Sequence, residues 1–110
     1  MVLDDLFDLS DVVPTLADLA GVSLPTDLAI DGRSISPQLQ GRRGNPRDWV
    51  FCQLKDEWFI RSRRWRLHHD GRLADMTDRY DPRFVSPDEN KAAAKARKRL
   101  RAAARDLGIL

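Results

Sequence analysis

Two neighbouring motifs decide how this chain folds. Residues 11–21 are Asp-Val-Val-Pro-Thr-Leu-Ala-Asp-Leu-Ala-Gly, and residues 31–34 are Asp-Gly-Arg-Ser. The first motif predicts a short helix, because Asp11 favours the positive helix end and Gly21 suits a left-handed C-cap. Pro14 falls in the first turn, where its missing N–H costs no intrahelical hydrogen bond. The apolar residues of this helix form one stripe at helical spacing: Val12, Leu16, Leu19 and Ala20.

The second motif predicts a turn that leads into another short helix. Asp31-Gly32 is a turn signal, and Ser34 or Ser36 can cap a helix that has Pro37 near its first turn. Glycine, proline and asparagine in residues 41–46 then predict an exposed loop. Residues 1–46 are therefore interpreted as a helical lead-in followed by a loop.

Residues 47–76 predict an antiparallel sheet of four strands. From Val50 the apolar period changes from helical spacing to alternation, and the alternating pattern of residues 50–54 indicates a strand covered on both faces. Residues 58–61 and 65–68 predict two further strands. Asp70-Gly71 is a hairpin turn signal that predicts a fourth strand over residues 72–76. Residues 77–85 are expected to form a loop.

A long helix is predicted over residues 86–107. Ser86 is the expected N-cap, Pro87 the first helical residue and Glu89 the partner in a capping box, while Gly108 ends the helix. Its apolar side is narrow and is formed by Ala93, Ala96, Leu100, Ala103 and Leu107. The predicted fold class is α+β, a single subdomain over residues 1–110 with the last helix packed on the sheet.

Charge is distributed unevenly along the chain. Residues 1–32 contain seven Asp and no Lys or Arg, whereas residues 88–110 contain seven basic and three acidic residues. No apolar run approaches the ~20 residues of a membrane span, and the acidic N-terminus does not resemble a signal peptide. Cys52, the one cysteine, is expected to be a buried strand thiol, since it has no Cys or His neighbour at zinc spacing. The sequence predicts no membrane partner and no particular cellular location.

The order of these motifs resembles the C-terminal region of the type I sulfatases. The resemblance rests on the two motifs already described, then on Arg61-Ser-Arg-Arg-Trp-Arg-Leu67, Asp70-Gly-Arg-Leu-Ala-Asp75 and the acidic loop with Asp78 and Asp81-Pro82. It covers about residues 6–85. It implies that this chain is the arylsulfatase-like C-terminal subdomain without the catalytic N-terminal domain.

In that family, the resemblance implies, sulfate esters are hydrolysed by a formylglycine made within a Cys/Ser-x-Pro/Ala-x-Arg motif, beside a bound calcium. This chain has no such motif, because Cys52 is followed by Gln53, Leu54 and Lys55. Residues 23–27 are a near miss, with Asp27 where arginine is required. No catalytic residue, metal ligand or cofactor is therefore assigned to this chain, and whether it is part of an enzyme remains an open question at this point.

Loops of this region in the family border the substrate cleft. By that resemblance, the candidates for cleft-bordering side chains are Trp58, Arg61, His68 and His69. Because adjacent residues on a strand point to opposite faces, the two histidines are not expected to share a metal ion. The apolar stripe of the first helix is the expected seam to the missing catalytic domain, or a self-association surface in its absence.

A rival interpretation is a small basic binding module for nucleic acid or another polyanion. Arginines around Trp65, together with the basic last helix, could hold phosphates and stack a base. The same residues suit a packed sheet whose charged ends reach outward to solvent. The sequence analysis favours a sulfatase-like C-terminal subdomain that is inactive alone, and nucleic acid is the less favoured partner.

Overall fold

The fold consists of two units, Met1–Arg47 (unit 1) and Asp48–Leu110 (unit 2). It is known from a computed structural model that describes residues 3–27, 29–86 and 89–110. Unit 1 is helical, and unit 2 is a sheet with one long helix, so the predicted α+β class is confirmed. The assignment of residues 1–110 to one subdomain stays a prediction.

Unit 1 is built on the first motif. A 3-10 turn, Leu9–Asp11, leads directly into helix α1, Val12–Ala20, with Pro14 as its third residue. Gly21 ends α1 in the left-handed region (φ 70°), as the sequence predicts. One detail differs, because the Asp11 side chain does not cap α1 and is turned towards other partners.

The second motif leads into helix α2, Ser36–Leu39. The N-cap of α2 is Ile35 and no side chain caps the helix, so the predicted serine cap is wrong. The Ser34 hydroxyl instead accepts a local hydrogen bond from the Ser36 amide at 3.1 Å. Residues 41–46 form neither helix nor strand, in agreement with the predicted loop. An isolated antiparallel bridge joins Leu6 to Arg47.

Unit 2 contains a five-stranded antiparallel meander, not the four strands predicted. The strands are β1 Val50–Leu54, β2 Glu57–Arg61, β3 Trp65–His68, β4 Leu73–Asp75 and β5 Arg83–Val85, in that spatial order. The missed strand, β5, lies in the segment that the sequence predicts as a loop. Val85 of β5 lies opposite Leu73 and packs on the core. Three residues after Asp81-Pro82 are too few to show an alternating pattern, and tertiary pairing decides their conformation.

The long helix is α3, Lys91–Asp106, and it begins later than predicted. Asn90 is its N-cap, and the Asn90 side-chain oxygen accepts from the Ala93 amide at 2.8 Å. The capping box of Ser86 and Glu89 is therefore wrong, and Pro87 lies outside the described residues. Gly108 follows the helix with a positive φ of 78°, consistent with the predicted end.

The apolar core of unit 2 lies between the sheet and α3. Ile60, Leu67 and Leu73 from neighbouring strands pack with Ala93 and Leu100 of the helix. The predicted packing of the last helix on the sheet is thereby confirmed. None of the helices in the described part of the chain is long and apolar enough to cross a membrane.

Strand β1 is more exposed than its sequence predicts. It is an edge strand, and Cys52, Gln53 and Leu54 are all exposed. The prediction of a buried thiol at Cys52 is wrong. Alternating apolar residues do not distinguish a central strand from an edge strand whose outer side lacks a partner.

Candidate functional site

The two motifs that open unit 1 meet at a buried carboxylate. Asp11 is fully buried and accepts two strong hydrogen bonds from Arg47, with Nη2 at 2.6 Å and Nε at 2.9 Å. Backbone amides complete the set, with Arg33 N donating at 2.8 Å and Asp8 N at 3.0 Å. We call Asp11 with these partners the Asp11 node.

Further hydrogen bonds fasten the second motif to α1. The Ile35 amide donates to the Thr15 hydroxyl at 3.0 Å, and the Ser34 hydroxyl donates to the Asp18 carboxylate at 2.8 Å. A Cβ atom at Gly32 would overlap the carbonyl oxygen of Ser10, so no larger residue fits there without a backbone shift. These hydrogen bonds and the close approach at Gly32 therefore hold the two motifs in a fixed position relative to each other.

The partners of Asp11 keep it ionised. Burial by itself raises the pKa of this carboxyl, but the Arg47 guanidinium and the amides of Arg33 and Asp8 outweigh it and lower the pKa to about 2. A carboxylate with every oxygen occupied by a donor cannot act as a base in the neutral pH range. The Asp11 node is a structural site.

Above this scaffold, α1 presents apolar side chains to solvent. Val13 is 56% exposed, Leu16 is 60% exposed and Leu19 is 51% exposed. Leu9, in the preceding 3-10 turn, is also exposed. We call these four residues the α1 apolar face. Such a concentration of large exposed apolar side chains on a short helix is unusual for a surface that faces only solvent.

Unit 2 presents a second surface, on the side of the sheet opposite α3. Strand alternation and the register place on it Cys52 of β1, Phe59 and Arg61 of β2, Arg66 and His68 of β3, and Phe84 of β5. No described element of unit 2 covers these residues, and we call the surface the open sheet face. It combines aromatic rings with guanidinium groups.

Ring contacts organise the middle of the open sheet face. The His68 ring lies 6.0 Å from the ring of Phe59 and 5.5 Å from that of Phe84, centroid to centroid. The guanidinium of Arg66 lies 5.5 Å over Phe59, and that of Arg72 lies 4.7 Å over Phe84. Cation–π contacts of this kind hold the guanidinium planes against the sheet.

His68 is neutral in this setting. Arg66 Nε lies 2.9 Å from His68 Nε2, and because arginine only donates, Nε2 must be the acceptor nitrogen. The neutral ring then carries its proton on Nδ1. Burial, followed by the charges of Arg66 and Arg72, lowers the pKa of His68.

A shallow cavity of about 280 Å³ opens beside His68. It is lined by Cys52, Leu54, Glu57, Trp58, Phe59, His68, His69 and Arg72. The lining is mainly apolar, with one thiol, one carboxylate and basic groups at its rim. In residues 3–27, 29–86 and 89–110, no three Cys, His, Asp or Glu side chains come together to hold a metal ion.

The structure brings some of the predicted cleft residues together and separates others. Trp58, His68 and His69 line the same cavity, although Trp58 also packs on the core. Arg61 shares the open sheet face with His68 but is not part of that lining. His69 follows the end of β3, and its side chain is exposed. Their role at a cleft stays a prediction.

Three contributors to these sites were missed in the sequence: Arg47, Phe59 and Phe84. Arg66 was considered only as one of the arginines around Trp65 in the polyanion interpretation. Alternation along residues 57–61 and 65–68 puts Phe59 on the same face as Arg61, and Arg66 on the same face as His68. The sequence therefore did contain a signal for these residues. Phe84 lies on the strand that was taken for a loop. The partnership of Arg47 with Asp11 spans 36 residues and has no local signature.

Comparison with known proteins relates the chain to sulfatases. It is 34% identical to the steryl-sulfatase of Rattus norvegicus over 81 residues, which is 73% of this chain and 14% of that protein. It is 32% identical to an arylsulfatase of Hemicentrotus pulcherrimus (64% of this chain, 13% of that protein). It is also 32% identical to the steryl-sulfatase of Mus musculus (74% and 12%). No protein-family model matches the chain.

A solved structure described as a 2-O GAG sulfatase has the same fold. It superposes with a TM-score of 0.66 and 24% identity, covering 88% of this chain and 23% of that one. This likeness shows a shared fold. The chain thus spans 12 to 14% of the curated relatives that it matches. The chain is a relative of the sulfatases, and its matches are consistent with a sulfatase C-terminal region.

Proposed function

We propose that this chain acts as the C-terminal subdomain of a sulfatase-like sulfuric ester hydrolase, as a structural part that has no catalysis of its own. The Asp11 node holds the two motifs of unit 1 in a fixed geometry. The α1 apolar face then docks on the remainder of such an enzyme. The open sheet face, with Arg61 and His68, borders the substrate cleft.

The exposed leucines of α1 are the observation that carries this proposal. Leu16 is 60% exposed and Leu19 is 51% exposed, although their helix is anchored from beneath by the Asp11 node. Burying one such side chain at an interface contributes roughly 1.5–3 kcal/mol. A helix that is oriented by hydrogen bonds and keeps its leucines uncovered supports a docking role.

Mutation of the α1 apolar face tests the docking role. In the isolated chain this face is expected to drive self-association, so Leu16→Asp should shift sedimentation towards monomer. Leu54→Asp is the matched control, because Leu54 is 75% exposed on an edge strand outside the α1 apolar face. Equal effects of the two substitutions, or a wild-type chain that is monomeric at every concentration, would contradict the proposal.

The absence of independent catalysis is supported by the sequence. Cys52 is followed by Gln53, Leu54 and Lys55, so it does not lie in the motif from which formylglycine is made in the family that the chain resembles. In that family calcium and formylglycine supply the Lewis acid and the nucleophile. The purified chain, assayed with a chromogenic aryl sulfate and calcium, is expected to give no turnover above background. Measurable turnover would show that the chain has a nucleophile of its own.

A second function is favoured by the surface of α3. Lys91, Lys95, Lys98, Arg101 and Arg105 are all exposed, and the pair of Arg99 with Asp48 is long, at 3.8 Å. Such a helix can bind a polyanion through its charge. Titration of labelled single- and double-stranded oligonucleotides at low and moderate salt separates the two functions. Tight binding with a steep salt dependence would favour the polyanion module over the sulfatase subdomain.

A further inference from the structure

Two arginines face each other on the open sheet face, and no described acidic residue forms an ion pair with either. Arg61 on β2 lies directly opposite Arg66 on β3. Both are half-buried. The Nε atom of Arg61 is buried and has no hydrogen-bond partner among the described residues. Arg66 uses its Nε to reach His68, and its two terminal nitrogens make no hydrogen bond with any described residue.

Among the described residues, the neighbours of this pair in the sheet provide no compensating charge. In the register of the sheet, Val50 lies opposite Arg61 on the far side and Ala74 lies opposite Arg66. Glu57 is at the other end of β2, and Asp70 is already paired with Arg72 at 2.6 Å. The space over Arg61 and Arg66 is therefore flanked by small or apolar side chains and by positive charge.

Such an arrangement of like charges lowers the stability of the sheet. Like charges directly opposite each other on neighbouring strands destabilise a sheet, and a buried polar N–H without a partner adds to the cost. The effect is visible at Arg66, whose pKa is lowered by burial and by the charges of Arg61 and Arg72. An anion placed between the two guanidinium groups would reverse both penalties.

We propose that Arg61 and Arg66 form a binding site for a doubly charged tetrahedral oxyanion, of the kind that a phosphate group presents. The planar forks of two guanidinium groups match such an anion, with two donors from each fork. Phe59 lies beneath Arg66 and the neutral His68 accepts its Nε–H, so the orientation of this guanidinium is fixed before the anion arrives. The site does not depend on the proposed sulfatase function.

Inorganic phosphate is the first probe, and glycerol phosphate is the second, which tests whether an esterified group is also accepted. Both are compared with sodium chloride at equal ionic strength, and binding is followed by the NMR signals of the arginine Nε–H groups. We expect saturable shifts at Arg61 and Arg66 with phosphate and none with chloride. Shifts with inorganic phosphate alone would restrict the site to a free anion, and shifts with both would extend it to phosphorylated molecules.

Substitution locates the site. Arg61→Met removes one fork and should weaken phosphate binding by roughly tenfold or more, as the loss of charge-assisted hydrogen bonds predicts. In chloride the same variant should melt at a higher temperature than the wild type, because one of two opposed charges is gone. Arg99→Met is the control, since Arg99 is exposed on α3, which packs on the opposite side of the sheet from the pair.

Three results would overturn the proposal: no saturable binding of either phosphate, equal weakening in the Arg99 variant, or a lower melting temperature of Arg61→Met in chloride. The last result would mean that Arg61 stabilises the sheet by itself. Arg66→Met provides an independent check on binding, although it also removes the contacts to Phe59 and His68.

Discussion

The carboxylate of Asp11 has no exposed surface and lies within hydrogen-bonding distance of two guanidinium nitrogens and two backbone amides. Removing a charge from such a site leaves the Arg47 guanidinium, which is also largely buried, without its counterion. The cost of breaking a buried ion pair in this way exceeds the cost at the surface, because solvent cannot replace the missing partner.

Asp11→Asn is therefore expected to destabilise unit 1 by about 3 kcal/mol. The matched control is Glu89→Gln, which makes the same chemical change in the exposed Arg83–Glu89 pair and should cost about 0.5 kcal/mol or less. Amide hydrogen exchange across α1 measures the first effect, and exchange across α3 measures the second. A loss of protection as small as that of the control would show that the node contributes little.

The stability of unit 1 should also depend on pH through Asp11. Its pKa in the folded chain is about 2, against an ordinary value of 3.8, so folding favours the ionised form. The resulting stabilisation, about 2 kcal/mol, is complete above pH ~4 and is lost as the pH falls towards about 2. The protection factors of the α1 amides, which correct for the intrinsic exchange rate at each pH, should fall over that interval, and Asp11→Asn should remove most of the dependence. A dependence that persists in the variant would assign the effect to another carboxylate.

Sequence analysis placed Asp11 correctly at the start of α1 and gave it the wrong partners. Local rules predict a helix cap, because they consider only the next few residues. The donors that hold Asp11 come from Arg33 and Arg47, which are 22 and 36 residues away. Long-range pairing of this kind cannot be deduced from one sequence, although the order of the two motifs and of the later pieces in residues 61–82 together indicated the family.

At the level of elements, the start of α3 shows how capping signals compete. Ser86 with Glu89 resembles a capping box, but Asn90 provides the N-cap, with its side-chain oxygen 2.8 Å from the Ala93 amide. Asparagine is among the residues most favoured at helix N-caps, so an N-cap at Asn90 agrees with the known residue preferences. The helix interior and its end at Gly108 were predictable because alanine, leucine, lysine and arginine favour helix and glycine ends it.

Asn90→Ala is expected to destabilise α3 by about 1 kcal/mol, because the Ala93 amide loses its acceptor. Asn90→Asp should retain most of the wild-type stability, since aspartate caps equally well and adds a favourable charge at the helix start. Chemical denaturation followed by the fluorescence of Trp65, which is buried in the core of unit 2, reports the change. An Asp variant that is as unstable as the Ala variant would argue against a capping role.

The sheet divides into parts that alternation predicts and parts that it does not. Strands β2 and β3 were predictable to within a residue, and the alternation that located them also sorted Arg61 and His68 onto one face. Strand β5 was missed because three residues carry no period, and the exposure of β1 was missed because an edge has no local signature. The open sheet face divides in the same way. Alternation located Arg61 and His68, whereas Phe84, whose ring contacts that of His68, lies on the strand that was missed.

Across the whole molecule, the two units are held together internally by different forces. The buried apolar side chains of unit 2 form a continuous core that includes Ile60, Leu67, Leu73 and Leu100. In the described part of unit 1, the buried side chains are instead Asp11, Pro14, Thr15, Ser36 and Gln38, nearly all of them polar. A folding unit without an apolar interior gains little from the hydrophobic effect, and its stability depends on hydrogen bonds and on what covers its surface.

The amides of unit 1 are therefore expected to exchange with solvent more readily than those of β2, β3 and α3. Hydrogen exchange followed by mass spectrometry, on the full chain at neutral pH, should show low protection across α1 and high protection around Ile60 and Leu67. Increasing the protein concentration should raise the protection of α1 if copies associate through the α1 apolar face, and Leu16→Asp should abolish that rise. Equal protection of both units at low concentration would mean that the Asp11 node stabilises unit 1 as strongly as an apolar core stabilises unit 2.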